Sequence, residues 1–357
     1  MCTLLTLCVL SHLLVDLASG ASLRTQRRLP SATTNASNRP TSNVSLSNLH
    51  APPVSTLFSA RFTKQTPGGP AALETPPPQM FVAVFTTRST PIEKRNSIRQ
   101  LWHEVDGGMG NICARFIVCD ALDNFQQSLL QEHASTGDLL FLSCQEGYAK
   151  GLLTRKLIAT MRAYRQAPIT KDVCLNRPLF MKVDDDTFVA GRRFREGLTL
   201  AQRTYGELLY AGVDLPSQPP ERNPTSHWFE PYEVWPHANY PPAMYGGPGY
   251  ILGRVMVTRI VDEGIAEANV LWNEDRAVGV WVNALQSRGV AINWIRIPGT
   301  NGFHWDKPVR SGPWGQYPYV LAHHLSQECI LCLTNVDRQN DPNFPTDQCF
   351  MLNPKPG

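Results

Sequence analysis

The sequence predicts an α/β domain, a sandwich of helices around a mostly parallel central sheet. Four apolar, β-rich runs occur at residues 80–87, 113–121, 138–144 and 178–183. Between the last two runs, residues 151–166 carry apolar side chains at helical spacing. Strands that alternate with helices are typical of parallel sheets, because the connection between parallel neighbours is usually a helix.

The runs can be assigned in chain order. MFVAVFTT, CARFIVCDA and DLLFLSC each have the apolar, β-branched or aromatic character of a buried strand. The next segment is predicted to be a helix because one face collects Leu153, Leu157, Ile158, Met161 and Tyr164. PLFMKV is then a strand that runs directly into three aspartates. Ligands of such open sheets bind beyond the carboxyl ends of the strands, where these aspartates would lie.

Length and charge narrow the class of protein. The chain has 357 residues, of which 42% are hydrophobic, enough for one sizeable catalytic domain with accessory segments. The formal net charge is only +3, and nucleic-acid binding usually requires concentrated basic patches. We therefore expect no nucleic-acid partner.

The N-terminal part indicates the secretory pathway. Residues 1–20 contain a short apolar run with small residues at its end, and no Lys or Arg precedes it. This pattern favours a cleaved signal peptide, with a weak type II signal anchor as the alternative, and membrane contact only if the segment is uncleaved. Residues 21–79 are rich in Ser, Thr, Asn and Pro and are predicted to be a flexible stem. Asn35 and Asn43 are N-glycosylation acceptors within it.

Seven cysteines lie beyond the leader, at positions 113, 119, 144, 174, 329, 332 and 349. In an oxidising compartment they would form disulfides, and their odd number leaves at least one unpaired within the chain. The pairing cannot be read from the sequence. Cys329 and Cys332 are separated by two residues, but no second pair stands at zinc-site spacing, so disulfide bonding is expected there.

The acidic triplet Asp184, Asp185 and Asp186 is the most informative motif. Adjacent carboxylates repel one another and need a cation or a solvated turn. Two aspartates separated by one residue can hold one hard ion such as Mn²⁺ or Mg²⁺, with a diphosphate completing the coordination. An exposed acidic turn that caps the next helix is the alternative. The position directly after a buried strand favours the metal site.

Five blocks in one order resemble glycosyltransferase family 31, the β1,3-galactosyltransferase and β1,3-N-acetylglucosaminyltransferase group. The acidic triplet is similar to that family's Asp-x-Asp motif. The other blocks are 93–102 (Arg…Ile-Arg-x-x-Trp), 151–156 (the Leu-Thr-x-Lys segment, without its Asn), 240–250 (Tyr-Pro…Gly-x-Gly-Tyr, with one extra residue) and 273–279 (Glu-Asp-Val-x-x-Gly, with Arg276 where Val is usual). The resemblance extends from residue 80 to about residue 324.

This resemblance implies a GT-A type nucleotide-sugar-binding sandwich over residues 80–350 and inversion at the anomeric carbon by direct displacement. It also implies a UDP-sugar donor, a glycan or glycoprotein acceptor, and Mn²⁺ or Mg²⁺ as cofactor. One general base must then deprotonate the acceptor hydroxyl. The resemblance assigns that role to Asp275, at the start of a helix that should run to Gln286; ordinary helix capping is the alternative reading of this position.

The expected metal ligands are Asp184, Asp186 and one histidine. Asp186 should be the direct ligand, and Asp184 should lie nearer the ribose or a metal-bound water. The family adds a histidine near the end of the domain, and His323 is preferred over His324 and His304. The candidates for donor binding are charged residues of three blocks, 93–102, 151–156 and the acidic triplet: Arg95, Arg99, Lys156, Asp184 and Asp185. A solvated helical face is the alternative for the two arginines.

The candidate residues for the acceptor or sugar are aromatic side chains, two glycines and a carboxylate: Trp228, Trp235, Tyr245, Gly247, Gly249 and Glu274. Tyr250 is a further aromatic candidate. Residues 227–236, a Pro- and aromatic-rich segment that we call the aromatic loop, are predicted to recognise the acceptor. The glycines would allow close approach of backbone to a sugar.

The predicted function is that of an inverting hexosyltransferase in the Golgi lumen. It would move galactose from UDP-galactose to a glycan hydroxyl, forming a β1,3 linkage in protein glycosylation. Three alternatives stay open: N-acetylglucosamine as the donor sugar, a secreted carbohydrate-binding protein without turnover, and a metal-dependent hydrolase. The acceptor, the oligomeric state and retention in the Golgi are not determined by the sequence.

Overall fold

The computed structural model describes residues 79–119, 126–300, 320–339 and 346–352. The predicted leader and nearly all of the predicted stem lie outside these residues, as does His304. Among the described residues, no helix has the length and apolar character that a membrane span requires.

The main sheet has seven strands in the order β10-β6-β9-β4-β1-β2-β3. These strands are β1 (Met80–Phe85), β2 (Ile112–Cys119), β3 (Leu139–Leu142), β4 (Leu179–Asp184), β6 (Leu209–Gly212), β9 (Tyr250–Gly253) and β10 (Asn293–Arg296). Strand β9 is antiparallel to both of its neighbours, and the other adjacent pairs are parallel. The α/β architecture with a mostly parallel sheet, predicted from the sequence, is confirmed.

Two small sheets contain the remaining strands of the described residues. One contains β11 (Gly299–Thr300), β12 (Leu321–Ala322) and β5 (Phe188–Val189), and the other pairs β7 (Asp214–Leu215) with β8 (Ala243–Met244). The helices are α1 (Ile92–Asp106), α2 (Gln126–Thr136), α3 (Leu152–Thr170), α4 (Gly191–Tyr205), α5 (Arg254–Asp262), α6 (Ile265–Ala268), α7 (Glu274–Ser287), α8 (Gln327–Gln339) and α9 (Thr346–Phe350). A 3₁₀ turn, Ala149–Gly151, precedes α3.

The hydrophobic core lies on both faces of the main sheet. In β1, Met80 and Val82 pack into one cluster, together with side chains of α1, α4 and α8. The alternate residues Phe81 and Ala83 pack into the other cluster, with α3, α5 and α7. Because successive side chains of a strand point to opposite faces, a strand buried on both sides reads as a continuous apolar run. This is the reason that the run 80–87 was recognisable in the sequence.

Three disulfides join described cysteines, Cys113–Cys174, Cys119–Cys144 and Cys332–Cys349. The first two tie β2 to the segment before β4 and to the segment after β3. Cys329 is buried and unpaired, which corrects the expectation of disulfide bonding for both cysteines of its motif. Cys329 and Cys332 lie on α8 with only one of them facing Cys349, so the odd cysteine is a core residue.

Candidate active site

The site forms where β1 and β4 end side by side. These two strands are parallel, and Phe85 stands opposite Asp184 in the register. The chain leaves β4 through Asp184 to Asp186, and the amide of Asp185 donates to the carbonyl of Phe85 at 3.2 Å. The three carboxylates therefore lie at the carboxyl edge of the sheet, where the sequence places them.

The three-stranded sheet brings two histidines next to the aspartates. Strand β12 pairs antiparallel with β5, which follows the triplet, and Leu321 stands opposite Val189. This pairing returns the chain toward the aspartates, and His323 follows directly. Its Nε2 lies 2.9 Å from Oδ1 of Asp186 and 3.6 Å from Oδ2 of Asp184. The Nδ1 of His324 lies 3.6 Å from Oδ2 of Asp186.

The donor set of this cluster fits a divalent ion. One ligand atom from each of Asp186, His323 and His324 lies within 4.8 Å of the other two. Oδ1 of Asp186 is buried and accepts no hydrogen bond of good geometry from the described residues, although His323 is close to it. A buried carboxylate oxygen without a hydrogen bond is costly unless a cation compensates it. Carboxylate with imidazole suits Mn²⁺ better than Mg²⁺, which prefers oxygen ligands alone.

The imidazole of His323 and the aspartates also shift each other's pKa values. Burial would lower the pKa of His323, but its contacts with Asp184 and Asp186 outweigh burial and raise the pKa to about 9. Burial opposes ionisation of Asp186 as well, yet the two histidines hold the pKa of its carboxyl far below the ordinary value. The imidazolium of His323 thus supplies the positive charge that Asp186 requires, and a divalent ion that bound the imidazole would displace its proton.

Lys182 connects the aspartates to the start of α7. Its side chain is 1% exposed, and its Nζ lies 2.7 Å from Oδ1 of Asp184 and 3.4 Å from Oε2 of Glu274. Nζ also donates to the carbonyl of Gly246 at 3.1 Å. Burial alone would lower the pKa of Lys182, but the surrounding carboxylates raise it above its usual range. A buried, charged lysine is tolerated here because acceptors surround it.

The glycine-rich turn 246–249 packs against both parts of the site. The carbonyl of Gly247 accepts from the amide of Asp184 at 3.2 Å and from the Thr187 hydroxyl at 2.8 Å. A Cβ at Gly247 would lie 2.0 Å from Cε1 of His323, so only glycine fits beside that ring. Gly249 has φ +102°, and its Cβ would meet the carbonyl of Lys182 at 2.7 Å. The close approaches of these glycines are therefore to protein groups.

Asp275 lies in the first turn of α7, which begins one residue earlier. Its Oδ1 accepts the amide of Arg276 at 2.8 Å, and its Oδ2 accepts the amide of Gly246 at 3.4 Å. Burial raises the pKa of Asp275, against the opposing effect of Arg276 and these amides. A half-buried carboxylate with a raised pKa is a better proton acceptor than an exposed one.

Glu274 is buried, and both of its carboxylate oxygens already have protein partners. The Tyr250 hydroxyl donates to Oε1, and Lys182 lies beside Oε2. Burial raises the pKa of Glu274 to about 7, opposed mainly by the charge of Lys182. The structure thus places Glu274 behind the site and Tyr250, which is 0% exposed, in the core.

Asp185 and Lys156 lie near the cluster but are held by other groups. Asp185 accepts the Thr86 hydroxyl and the Nζ of Lys94, both at 2.6 Å. Lys156 is buried, and its Nζ donates to the carbonyl of Thr86 at 2.6 Å and to Oε2 of Glu146 at 2.9 Å. Both side chains therefore have fixed positions beside Asp184 and Asp186, through their contacts with Thr86.

Arg95 and Arg99 are paired with carboxylates outside the acidic triplet, although Nη1 of Arg95 also donates to the carbonyl of Thr90, whose hydroxyl contacts Asp185. Their expected place in the donor site stays a prediction. Arg95 is 3% exposed, and its guanidinium donates to both oxygens of Glu132. Arg99 donates to Glu132 and to both oxygens of Asp138, and it lies over the ring of Phe116. The two arginines bind α1 to α2 and β3, because a buried guanidinium requires paired carboxylates. Neither forms the solvated face considered as the alternative.

The aromatic loop presents only part of its aromatic surface to solvent. Trp228 is 61% exposed and Tyr232 is 64% exposed. Trp235 is half-buried and stacks on Tyr240 with 5.7 Å between ring centroids. The half-buried Tyr245 is fixed by its backbone, whose amide donates to the carbonyl of Val213. Of the predicted aromatic platform, Trp228 has the most accessible ring.

Some residues near the site belong to no sequence motif and could not be predicted from the sequence. Tyr148 contacts His227 with 5.5 Å between centroids, and His227 contacts Trp228 at 4.7 Å, so a segment before α3 meets the aromatic loop. Lys182 has buried contacts with Asp184 and Glu274 that only the folded chain brings together. The only sequence signal for Lys182 was a charged residue within an otherwise apolar strand.

Comparison with known proteins assigns the chain to a family of enzymes. The family model described as Galactosyltransferase matches residues 93–291. Over 264 residues the chain is 29% identical to a beta-1,3-galactosyltransferase of Arabidopsis thaliana, covering 72% of this chain and 37% of that protein. It is 26% identical to a hydroxyproline O-galactosyltransferase of the same plant, covering 72% of this chain and 34% of that protein.

The chain therefore spans little more than a third of the length of these two relatives. Among solved structures, it is similar to a glycosyltransferase involved in the glycosylation of the major capsid of PBCV-1. That likeness has a TM-score of 0.35 at 11% identity and covers 72% of this chain and 100% of the other.

Proposed function

The chain belongs to the galactosyltransferase family, glycosyltransferase family 31, and from this premise we propose that it transfers galactose from UDP-galactose to a glycan hydroxyl, with inversion and formation of a β1,3 linkage. The observation that carries the proposal is one continuous site. Asp186 and His323 meet at its one end, Asp275 stands at the other, and the turn 246–249 contacts both. Transfer from a nucleotide sugar needs both the metal cluster, for the leaving diphosphate, and the base, for the acceptor hydroxyl.

The metal end is formed by Asp186, His323 and His324, with Asp184 beside them. Mn²⁺ is the proposed ion because the family resemblance implies Mn²⁺ or Mg²⁺, and two imidazoles among the three candidate ligands favour a transition-metal ion over Mg²⁺. When bound, such an ion supplies positive charge that stabilises a departing diphosphate. Asp184 is partly neutralised by Lys182, which suits a role toward the ribose or an ion-bound water rather than sole ligation.

The base end is formed by Asp275. In the proposed reaction its carboxylate accepts the proton of the acceptor hydroxyl while that oxygen attacks the anomeric carbon, and the bond to the UDP oxygen breaks. The amides of Gly246 and Arg276 orient the carboxylate. Its raised pKa supports this role, because a general base works best when its pKa approaches the working pH.

The donor and acceptor surfaces follow from this arrangement. The donor side is lined by Asp184, Asp185 and Lys156. Asp185 is paired there with Lys94, and Lys156 with Glu146. Trp228 offers an exposed ring for the apolar face of an acceptor sugar. Gly247, Gly249 and Glu274 support the site through protein contacts, and Arg95 and Arg99 are paired with Glu132.

Arg276, which stands where the family usually has Val, leaves the base in place. Its guanidinium is buried, with Nη1 donating to the carbonyl of Pro216 at 2.8 Å and the Cζ lying 5.2 Å from the centroid of the Tyr240 ring. The side chain thus points toward the segment before the aromatic loop. Asp275 still accepts two amides, so this substitution is compatible with catalysis.

The proposed location is the lumen of the Golgi. Three disulfides among the described residues fit an oxidising compartment. The signal peptide or anchor at 1–20, the stem at 21–79 and the catalytic domain at 80–350 stay part of the proposal.

A donor and acceptor screen tests this function. UDP release by the purified chain is measured with a panel of UDP-sugars and glycan acceptors, with and without Mn²⁺. We expect acceptor-dependent release that requires Mn²⁺ and is greatest with UDP-galactose. Preference for UDP-N-acetylglucosamine would replace the donor sugar. Release of free sugar without an acceptor would favour hydrolysis, and binding of UDP without any turnover would favour the binding protein.

A further inference from the structure

A buried carboxylate, Glu230, lies in the aromatic loop and has no part in the site described above. Its side chain is 0% exposed, although the segment between β7 and β8 contains no regular strand or helix. Its backbone is fixed as well, because its amide donates to the carbonyl of Glu221 and its carbonyl accepts from Nη1 of Arg222. A carboxylate this deeply buried must be compensated by specific partners.

Those partners are the two residues that precede α7, together with Tyr240. Oε1 of Glu230 accepts the amide of Trp272 at 2.8 Å, and Oε2 accepts the amide of Asn273 at 3.2 Å. Oε2 also accepts from Nδ2 of Asn273 at 3.0 Å and from the Tyr240 hydroxyl at 2.9 Å. Both oxygens of Glu230 therefore act as acceptors for the segment that leads into the proposed base.

This contact holds the N-cap residue of α7 in place without capping the helix itself. Asn273 occupies the N-cap position of α7, but its side chain makes no capping hydrogen bond and instead donates to Glu230 and to the carbonyl of Trp228. The positive end of the helix dipole favours a carboxylate nearby. The first turn of α7 contains two carboxylates of its own, Glu274 and Asp275, and Glu230 adds a third, from the aromatic loop, that holds the two residues before the helix.

The same segment is held from its other side by α3. The Thr154 hydroxyl donates to the carbonyl of Leu271 at 2.7 Å, and a Cβ at Gly151 would lie 2.9 Å from that carbonyl oxygen. Residues 271–273 are thus fixed between α3 and Glu230, two residues before Asp275. On the α3 side the contact is to a rigid helix, whereas Glu230 belongs to a loop with exposed aromatic side chains.

We propose that Glu230 is a positioning residue that couples the aromatic loop to the carboxylate of Asp275. An acceptor sugar that binds against Trp228 would steady the loop and, through Glu230, the start of α7. The acceptor surface and the base would thus be held in register by one buried carboxylate. This inference rests on the proposed function, because it assigns Glu230 to the acceptor side of that reaction.

Amide hydrogen exchange tests the coupling without using turnover. Glu230→Gln removes the charge and leaves one acceptor oxygen where two are used. Glu233→Gln is the matched control, the same change at an exposed position of the same loop. We expect the peptide that contains Trp272 and Asn273 to exchange about tenfold faster in Glu230→Gln, and to be unchanged in the control. Equal exchange in the two variants would overturn the coupling.

Kinetics then separate positioning from general stability. For Glu230→Gln we expect kcat of acceptor-dependent UDP release to fall by about 10- to 100-fold, because a small misplacement of a catalytic group is costly. The KM for UDP-galactose and the affinity for UDP with Mn²⁺ should stay unchanged. Faster exchange with an unchanged kcat would overturn the positioning role. A loss of affinity for UDP as large as the loss of kcat would overturn it too. If the wild-type protein shows no transfer with any donor, the proposed function and this catalytic role both fall, whereas the exchange result still decides whether Glu230 joins loop and helix.

Discussion

The Nε2 atom of His323 lies 2.9 Å from Oδ1 of Asp186, and this contact joins the end of β4 to the residues after β12. It depends on a two-residue antiparallel pairing between β12 and β5. The oxygen receives no well-formed hydrogen bond from the described residues, and the imidazole has a raised pKa. A divalent ion bound to both side chains would displace the imidazole proton and take over its charge.

The first prediction concerns metal affinity. Replacing Asp186 by Asn or His323 by Ala removes one ligand from a small donor set. We expect the dissociation constant for Mn²⁺, measured by electron paramagnetic resonance of the free ion, to rise by at least about tenfold, since even indirect support of a ligand contributes that much. His103→Ala, an exposed position on α1, is the control. Equal affinity in all these variants would mean that the ion, if any, binds elsewhere.

The second prediction concerns Gly247. In Gly247→Ala the new Cβ would stand 2.0 Å from Cε1 of His323, so the ring must move. We expect a loss of about 1–3 kcal/mol in the free energy of unfolding and weaker Mn²⁺ binding. Gly264→Ala provides the comparison, because its Cβ meets nothing within 4 Å although its φ of +66° adds strain. If both variants bind Mn²⁺ like the wild type, the glycine does not position the histidine.

The third prediction follows from the buried Glu274, whose pKa is raised to about 7 from 4.5. A carboxyl group with a raised pKa in the folded state stabilises the fold while it is protonated. That contribution is complete below about pH 4.5 and is lost as the pH rises through 7. Relative to Glu274→Gln, the wild type should therefore lose up to about 3 kcal/mol of unfolding free energy over this interval. Urea unfolding at several pH values measures the difference, and a constant difference would show that Glu274 does not titrate there.

The fourth prediction tests the structural role of Arg95 and Arg99. Glu132→Gln leaves both guanidinium groups without their shared carboxylate. We expect a loss of about 3–5 kcal/mol of unfolding free energy, as for other broken buried pairs. Affinity for UDP, measured by calorimetry at a temperature where the variant is folded, should not change. Glu267→Gln breaks an exposed pair with Arg162 and should cost less than about 1 kcal/mol. A marked loss of UDP affinity in Glu132→Gln alone would return the arginines to the donor site.

Local patterns in the sequence were enough to predict the sheet and its acidic edge. Strands β1 and β4 are buried on both faces, so their apolar runs are continuous, and Asp184 marks where β4 ends. The histidine expected near the aspartates required the family resemblance, since nothing around His323 identifies it locally. The structure adds His324 to the same cluster.

Features that depend on long-range contacts could not be predicted. Arg95 and Arg99 stand four residues apart, as a ligand-binding pair would, but their partners Glu132 and Asp138 come from α2 and the start of β3. Glu230 reads as one acidic residue in a polar, aromatic loop, and only the folded chain shows that it is buried against Trp272. Spacing along one segment carries no information about which distant residue compensates a charge.

The account is tested most directly by measuring acceptor-dependent UDP release from UDP-galactose in Asp186→Asn and Asp275→Asn, together with UDP binding in the presence of Mn²⁺. Asp262→Asn, at a partly exposed position on α5, is the control. We expect both site variants to lose transfer by about 100- to 10,000-fold, and only Asp186→Asn to lose Mn²⁺-dependent binding of UDP. Transfer at the wild-type rate by Asp275→Asn, or Mn²⁺-independent transfer by Asp186→Asn, would contradict the proposed site.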